Sequence, residues 1–240
     1  MKKLIWILGM IAVAALGLAA CIFQDRVPAN QGRRYQGLEV EKTTERFLEE
    51  NGMDFSTYVP SMRSLEECPE SYSRMLDTYL TSGRPDEVFQ KFIQLSPLKA
   101  WNGFAQFDLL YDRKTARAYD RNTVQFPEMS TGQIYILKLK IAPGLNIPVA
   151  FEFVQVDPKK LQLSFSYLTT NKSRGIQQIT FLEDGLEAGK VKGVRVNHIS
   201  CYSSGSDFRD QRLYPRFHRK MLDNFYENAF ANIQGKPVGN

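Results

Sequence analysis

The 240-residue chain has few groups with which to do chemistry. It carries two histidines, His198 and His218, and three cysteines, Cys21, Cys68 and Cys201. No Cys-x-x-Cys, His-Glu-x-x-His or Gly-x-Ser-x-Gly occurs, so the common zinc sites and the serine-hydrolase elbow are excluded; neither metal nor cofactor is expected. Gly-rich loops that cradle phosphate are missing too. The one small-residue run, Ser203-Ser204-Gly205-Ser206, reads as a turn into a helix cap. Acidic residues form no catalytic couple: Asp207 and Asp210 suit a first helical turn, and Glu183-Asp184-Gly185 a hairpin turn. The formal net charge of +5 is spread along the chain and lacks the clustered basic face of a nucleic-acid binder. No apolar run after Phe23 is long enough to span a bilayer.

The first residues are unlike the rest. Lys2 and Lys3 precede an uncharged apolar run over 4–18, and the small residues Ala19-Ala20 precede Cys21, the three-part layout of an export signal. As a plain anchor, the stretch to Phe23 only just reaches the roughly 20 residues a spanning helix needs. Leu18-Ala19-Ala20-Cys21 resembles the lipobox of bacterial lipoproteins. That resemblance implies removal of residues 1–20, acylation of Cys21, and a protein held on a membrane of the bacterial cell envelope, facing the periplasm or exterior. Two or more acyl chains make such anchoring stable. With Lys2 and Lys3 removed, the net charge falls from +5 to +3.

Residues 21–68 read as a spacer with one short helix, since 22–35 has no apolar period and 38–48 has a weak amphipathic one that stops at Asn51-Gly52. Beyond this the period becomes that of strands, expected over 72–80, 104–111, 115–120, 133–142, 148–156, 161–169, 175–182 and 194–202. Helices are expected from Pro85, with Val88, Phe89, Phe92 and Ile93 on one side, and over 97–102. A long final helix follows Ser206 and continues to about Ile233, with a break or kink at Pro215. Alternation predicts a sheet with one dry face, to which Phe107, Leu109, Tyr111, Tyr135, Leu137, Leu139, Phe151, Phe153, Phe165, Ile179, Phe181, Val194 and Val196 belong.

One strand, two helices, a run of antiparallel strands and a long last helix is the element order of the START-like, or SRPBCC, helix-grip domains. The segments 165–181 and 196–206, running into the final helix, are similar to the closing strands and helix of that superfamily. The resemblance covers about 69–234, with 235–240 as a tail. It implies an α+β helix-grip fold, with a curved antiparallel sheet of about seven strands wrapped around the C-terminal helix and a cavity between them. It further implies that the first and last strands pair, which brings Cys68 and Cys201 together as a candidate disulfide; two unpaired thiols are the alternative.

His198 shares parity with Val194 and Val196, and Gln177 with Ile179 and Phe181, so both point to the dry face. Tyr111 and Tyr167 extend the set, and Phe151, Phe165, Phe217 and Met221 complete the candidate lining of the pocket. Such polar tips on an apolar wall orient a ligand headgroup, or position His198 as an acid or base, or satisfy one another as ordinary core residues. His218, among Arg216, Arg219 and Lys220, is expected to face solvent. The leading expectation is an envelope lipoprotein that binds a lipid-like or other hydrophobic small molecule for carriage or sensing. The alternatives are a cyclase or hydratase using His198, and a non-catalytic interaction scaffold. Partners of the protein class are left open.

Overall fold

The computed structural model describes residues 33–35, 37–142, 144–185 and 193–236. The expected signal segment and Cys21 lie outside the described residues, as does the end of the tail. The described chain opens with a small antiparallel hairpin, β1 (Arg33–Tyr35) and β2 (Leu38–Val40), followed by α1 (Lys42–Asn51). Gly52 ends α1 at φ 84°, a left-handed conformation that a Cβ would oppose. Two 3-10 turns, Phe55–Thr57 and Leu65–Glu67, lead to β3 (Ser73–Ser82). Next come α2 (Pro85–Ile93) and α3 (Pro97–Ala100), each begun by a proline at a position where its missing N–H is no loss.

The remaining strands are β4 (Ala105–Asp112), β5 (Arg117–Asp120), β6 (Gln133–Ala142), β7 (Leu145–Asp157), β8 (Gln162–Tyr167), β9 (Arg174–Asp184) and β10 (Gly193–Ser203). A π-helical turn, Arg209–Leu213, runs into α4 (Tyr214–Ile233), with Pro215 in the first turn of that last helix. Strands β3 to β10 form one antiparallel sheet in the order β3-β10-β9-β8-β7-β6-β4-β5. The fold is α+β, with eight strands where about seven were expected, and α4 lies against one face of the sheet.

Over β4, β6 and β7 the sheet is dry on both faces, not one. On the helix side, Phe107, Leu110, Tyr135, Leu137, Phe151, Phe153, Phe165 and Phe181 meet Phe92, Leu222 and Phe225. On the opposite, outer side, Leu109, Ile134, Ile136 and Ala150 are buried under Val40, Phe47, Leu48, Phe55 and Tyr58. Residues 38–68, expected as spacer, therefore form a packed layer on the sheet. The change of parity along β4 has a local cause. Its pairing with β6 slips between Phe107 and Leu109, a bulge that places Phe107 and Leu110 inward but Leu109 outward. Tyr111 goes with the outer set and stacks on Phe55 with ring centroids 4.3 Å apart, so it lines no helix-side pocket.

Ions and a covalent bond fasten this outer layer. Glu41 sits against Lys138 Nζ at 2.9 Å and also pairs with Arg121, while its backbone N–H donates to Asp108 at 3.0 Å. Asp108 is fully buried, and that burial pushes its carboxyl up to about 6. Arg113 donates to the carbonyls of Phe55 and Tyr58 and pairs with Glu152 at 3.0 Å. Cys68, at the end of the layer, is joined to Cys201 of β10 in a disulfide across 133 positions of sequence, with Cα atoms 6.1 Å apart.

Candidate functional site

Alternation along β10 sends His198, Ser200 and Tyr202 to the helix side, and the neighbouring strands contribute Gln177 from β9 and Tyr167 from β8. From α4 come Tyr214, His218 and Tyr226, spaced by four and eight residues and hence on one face. Gln177 is the hub. Its Oε1 lies 2.8 Å from His198 Nε2, 3.2 Å from His218 Nε2 and within hydrogen-bonding distance of Ser200 Oγ. A carbonyl oxygen only accepts, so both Nε2 atoms carry the proton and both Nδ1 atoms are bare acceptors. Tyr226 donates its hydroxyl to His198 Nδ1 at 2.9 Å. The Gln177 amide donates to Tyr167 at 3.3 Å, and Tyr167 in turn meets the Tyr214 hydroxyl. His218 Nδ1 has no partner among the described residues.

This cluster is uncharged. Burial, and secondarily the neighbouring His218, hold His198 well below the ordinary imidazole range; burial alone brings His218 down to about 3. The same desolvation pushes Tyr167 up to about 12 and holds Tyr214 and Tyr226 well above the ordinary phenol value. Around it the space between sheet and helix is filled with rings. Trp101 stacks on Phe225 at 4.2 Å, Phe151 lies 4.6 Å from Phe165, and Phe92 meets Phe181 at 5.1 Å.

Gln177, Tyr167 and His198 converge as their parity indicates, and Phe151 and Phe165 lie in the ring layer beside them. Met221 packs against that layer from α4. Two expectations are corrected. His218 is buried at the centre of the cluster, because it shares the inward face of α4 with Leu222, Phe225 and Tyr226. Phe217 stands at the margin of that face, is 37% exposed, and stacks on Phe104 at 6.1 Å. Ser200, Tyr214 and Tyr226 were not among the expected site residues, although the four-residue spacing Tyr214, His218, Leu222, Tyr226 is a sequence signal for them.

Both nitrogens of His198 are engaged, one by Tyr226 and the other by Gln177, and the rings of Phe165 and Tyr226 lie beside it. A concavity of about 600 Å³ lies along the exposed side of α4, lined by Pro215, Arg216, Arg219, Lys220, Asp223, Asn224 and Glu227, away from the cluster. Another, of about 370 Å³, lies between the end of β3 and the last turn of α4. Among the described residues no group of three or more His, Cys, Asp or Glu is placed to hold a metal ion, and no helix is long and apolar enough to cross a membrane.

No protein-family model matches the chain, nor does any curated protein. Solved structures are similar to it at low identity. TTHA0849 from Thermus thermophilus is 14% identical over 68% of this chain and 98% of its own, with a TM-score of 0.48. Major latex-like protein 151 from Panax ginseng is 13% identical over 67% of this chain and 97% of its own, with a TM-score of 0.45. The helix-grip description rests on the chain's own topology: an eight-stranded antiparallel sheet in which its first strand in chain order, β3, pairs with its last, β10, and whose inner face holds the last helix.

Proposed function

We propose that this chain is a membrane-tethered, non-catalytic module that holds an uncharged hydrophobic small molecule in its helix grip, for carriage or sensing in the bacterial cell envelope. One observation carries the reading: a hydrogen-bonding cluster, kept neutral by burial, sits inside an aromatic interior with one acceptor, His218 Nδ1, left bare. Unpaired buried acceptors are costly, and a ligand hydroxyl or amide N–H reaching His218 removes that cost. A carboxylate or ammonium finds no counter-charge there. Apolar walls with a few placed polar groups are the usual make-up of a small-molecule site.

The rings that fill the interior must move to admit a ligand, and Tyr214 is one at its margin. It is partly exposed, it stacks on Tyr202 at 3.7 Å and on His218 at 5.0 Å, and it follows directly on the π-helical turn. Turns of that kind are sites of local adjustment in helices. Tethering comes from the Leu18-Ala19-Ala20-Cys21 motif, with Cys21 as the acylated residue.

The test is native mass spectrometry of the full chain extracted from membranes of producing cells in mild detergent. A retained apolar mass is expected in the natural sequence and a much smaller occupancy in Gln177→Leu. Metabolic labelling with a radioactive fatty acid, present in the natural chain and lost in Cys21→Ala, checks the anchor separately. A chain that is always empty, and whose melting temperature no neutral lipid or sterol-like alcohol raises, would sink the ligand reading. The close ring packing of Trp101 on Phe225 would then favour a solid interaction scaffold.

A further inference from the structure

The outer face of the sheet is covered only in part. At the β3 end, the side chains of Arg74, Leu76, Thr78, Leu80 and Ser82 all point outward and all are exposed, with Leu76 at 61% and Leu80 at 63%. Behind them Leu76 neighbours Ile199, while exposed Arg195 stands between Leu80 and Leu182. β3 is also the terminal strand of the sheet, ten residues long, and among the described residues it is paired with β10 on one side only. Long edge strands with exposed leucines are normally blunted by charge, proline or a bulge. In β3 the outward row holds one charge, Arg74, at its first position, and the ladder to β10 runs without a register shift.

The chemistry of a free edge selects another strand as its partner, and the order of side chains in β3 selects a second copy of itself. We propose that the protein forms a two-fold dimer by antiparallel pairing of β3 with β3 of another copy, centred on Thr78. In that register Leu76 lies opposite the partner's Leu80 and Leu80 opposite the partner's Leu76, so each leucine pair closes over the same outer face. Arg74 faces Ser82, and on the inner side Asp77 faces Tyr79. No like charges meet. Moving the axis to Asp77 sets two buried carboxylates against each other, and moving it to Tyr79 leaves each Leu80 against a threonine. Opposed apolar pairs stabilise a ladder and opposed like charges weaken it, so the side chains themselves specify the register. Isologous contacts of this kind close on themselves and do not propagate into fibres.

The register gives the experiment its form. The full chain is studied in detergent by sedimentation equilibrium at matched solvent density. The natural sequence is expected to be a dimer, and Leu76→Lys and Leu80→Glu are each expected to weaken it at least tenfold by setting a charge against a leucine. The double substitution Leu76→Lys with Leu80→Glu restores the dimer, because each lysine then faces the partner's glutamate. Within one chain these two positions lie four residues apart along a strand, too far to pair. Both sites are exposed, so far-ultraviolet circular dichroism spectra recorded in parallel should superimpose and show the fold intact. A monomeric natural chain, as when the edge is occupied by the chain's own N-terminal residues, overturns the proposal. So does a dimer that survives either single change, or a double variant that stays monomeric.

Discussion

Two clusters on opposite faces of the sheet bury polar groups by opposite means. Around Gln177 Oε1, on the helix side, they are neutral: two imidazoles, a carboxamide, a serine and tyrosines share hydrogen bonds. On the outer side they are ions, with Glu41 between Lys138 and Arg121 and Asp108 beneath them. The difference follows from what each face has to hold. The outer layer is a fixed piece of the same chain, and an ion pair buried at its docking point accepts one register and penalises the rest. Such pairs contribute specificity more than net stability, because desolvation offsets much of their attraction. The neutral groups around Gln177 carry no such commitment, which is consistent with the exchangeable uncharged ligand proposed above.

Breaking the outer face should therefore cost more than disturbing the inner one. The largest effect is expected from the disulfide. Replacing both Cys68 and Cys201 by serine frees a loop of more than a hundred residues, and the chain-entropy model puts the loss at about 5 kcal/mol, to be read from urea unfolding at pH 7. An unchanged unfolding midpoint would mean that the outer layer is held by its packing alone. Next comes Lys138→Ala, which leaves Glu41 buried with only the half-exposed Arg121 as counter-charge. About 3 kcal/mol is expected, the cost of breaking a buried pair from one side. Lys138→Met together with Glu41→Leu should recover most of it.

The inner face was the more legible of the two in the sequence, and the reasons are local. Strict alternation placed His198, Gln177 and Tyr167 together, since period two fixes a face once any one residue of a strand is known. His218 was hidden by Arg216, Arg219 and Lys220. Three cations within two residues of a histidine look like solvated helix, although the 3.6-residue period sets His218 in line with Leu222, Phe225 and Tyr226. Tyr111 was misplaced by the bulge between Phe107 and Leu109, a one-residue event that reverses every side chain after it. The outer layer had a signal that alternation alone overlooks. Ile134-Tyr135-Ile136-Leu137 is an unbroken apolar run, the mark of a strand covered on both faces, but the segment that covers it lies almost a hundred residues earlier.

Acid gives the comparison its next test, because the inner face should weaken between pH 7 and 4.5. His218 titrates near 3 when folded and near 6.5 when unfolded, so below 6.5 the unfolded chain binds the extra proton and stability falls. The loss attributable to this side chain is about 2 to 3 kcal/mol at pH 4.5, and His198, lowered for the same reason, acts in the same direction. His218→Phe should flatten the pH dependence of the unfolding free energy over this range. A slope identical to that of the natural chain would mean that His218 is not buried as a neutral ring.

Asp108 should act in the opposite sense over the same interval. Its carboxyl titrates at about 6 in the folded chain against an ordinary value of 3.8, so the folded state binds the extra proton between those values. Its contribution is therefore fully present below about pH 3.8 and is lost as pH rises through 6; from 4.5 to 7 the loss is about 2 kcal/mol. Glu41, whose carboxyl is held below its ordinary value despite its burial by Lys138 and Arg121, changes mostly below this window and so leaves it clear. In the natural chain the two faces partly cancel, and a shallow pH profile conceals both. Asp108→Asn removes the outer contribution while keeping an acceptor for the Glu41 amide, so its stability should fall more steeply from pH 7 to 4.5 than that of the natural chain. If instead the two profiles run parallel, the carboxyl of Asp108 is ionised throughout, and the outer cluster is a fully charged latch whose grip acid does not strengthen.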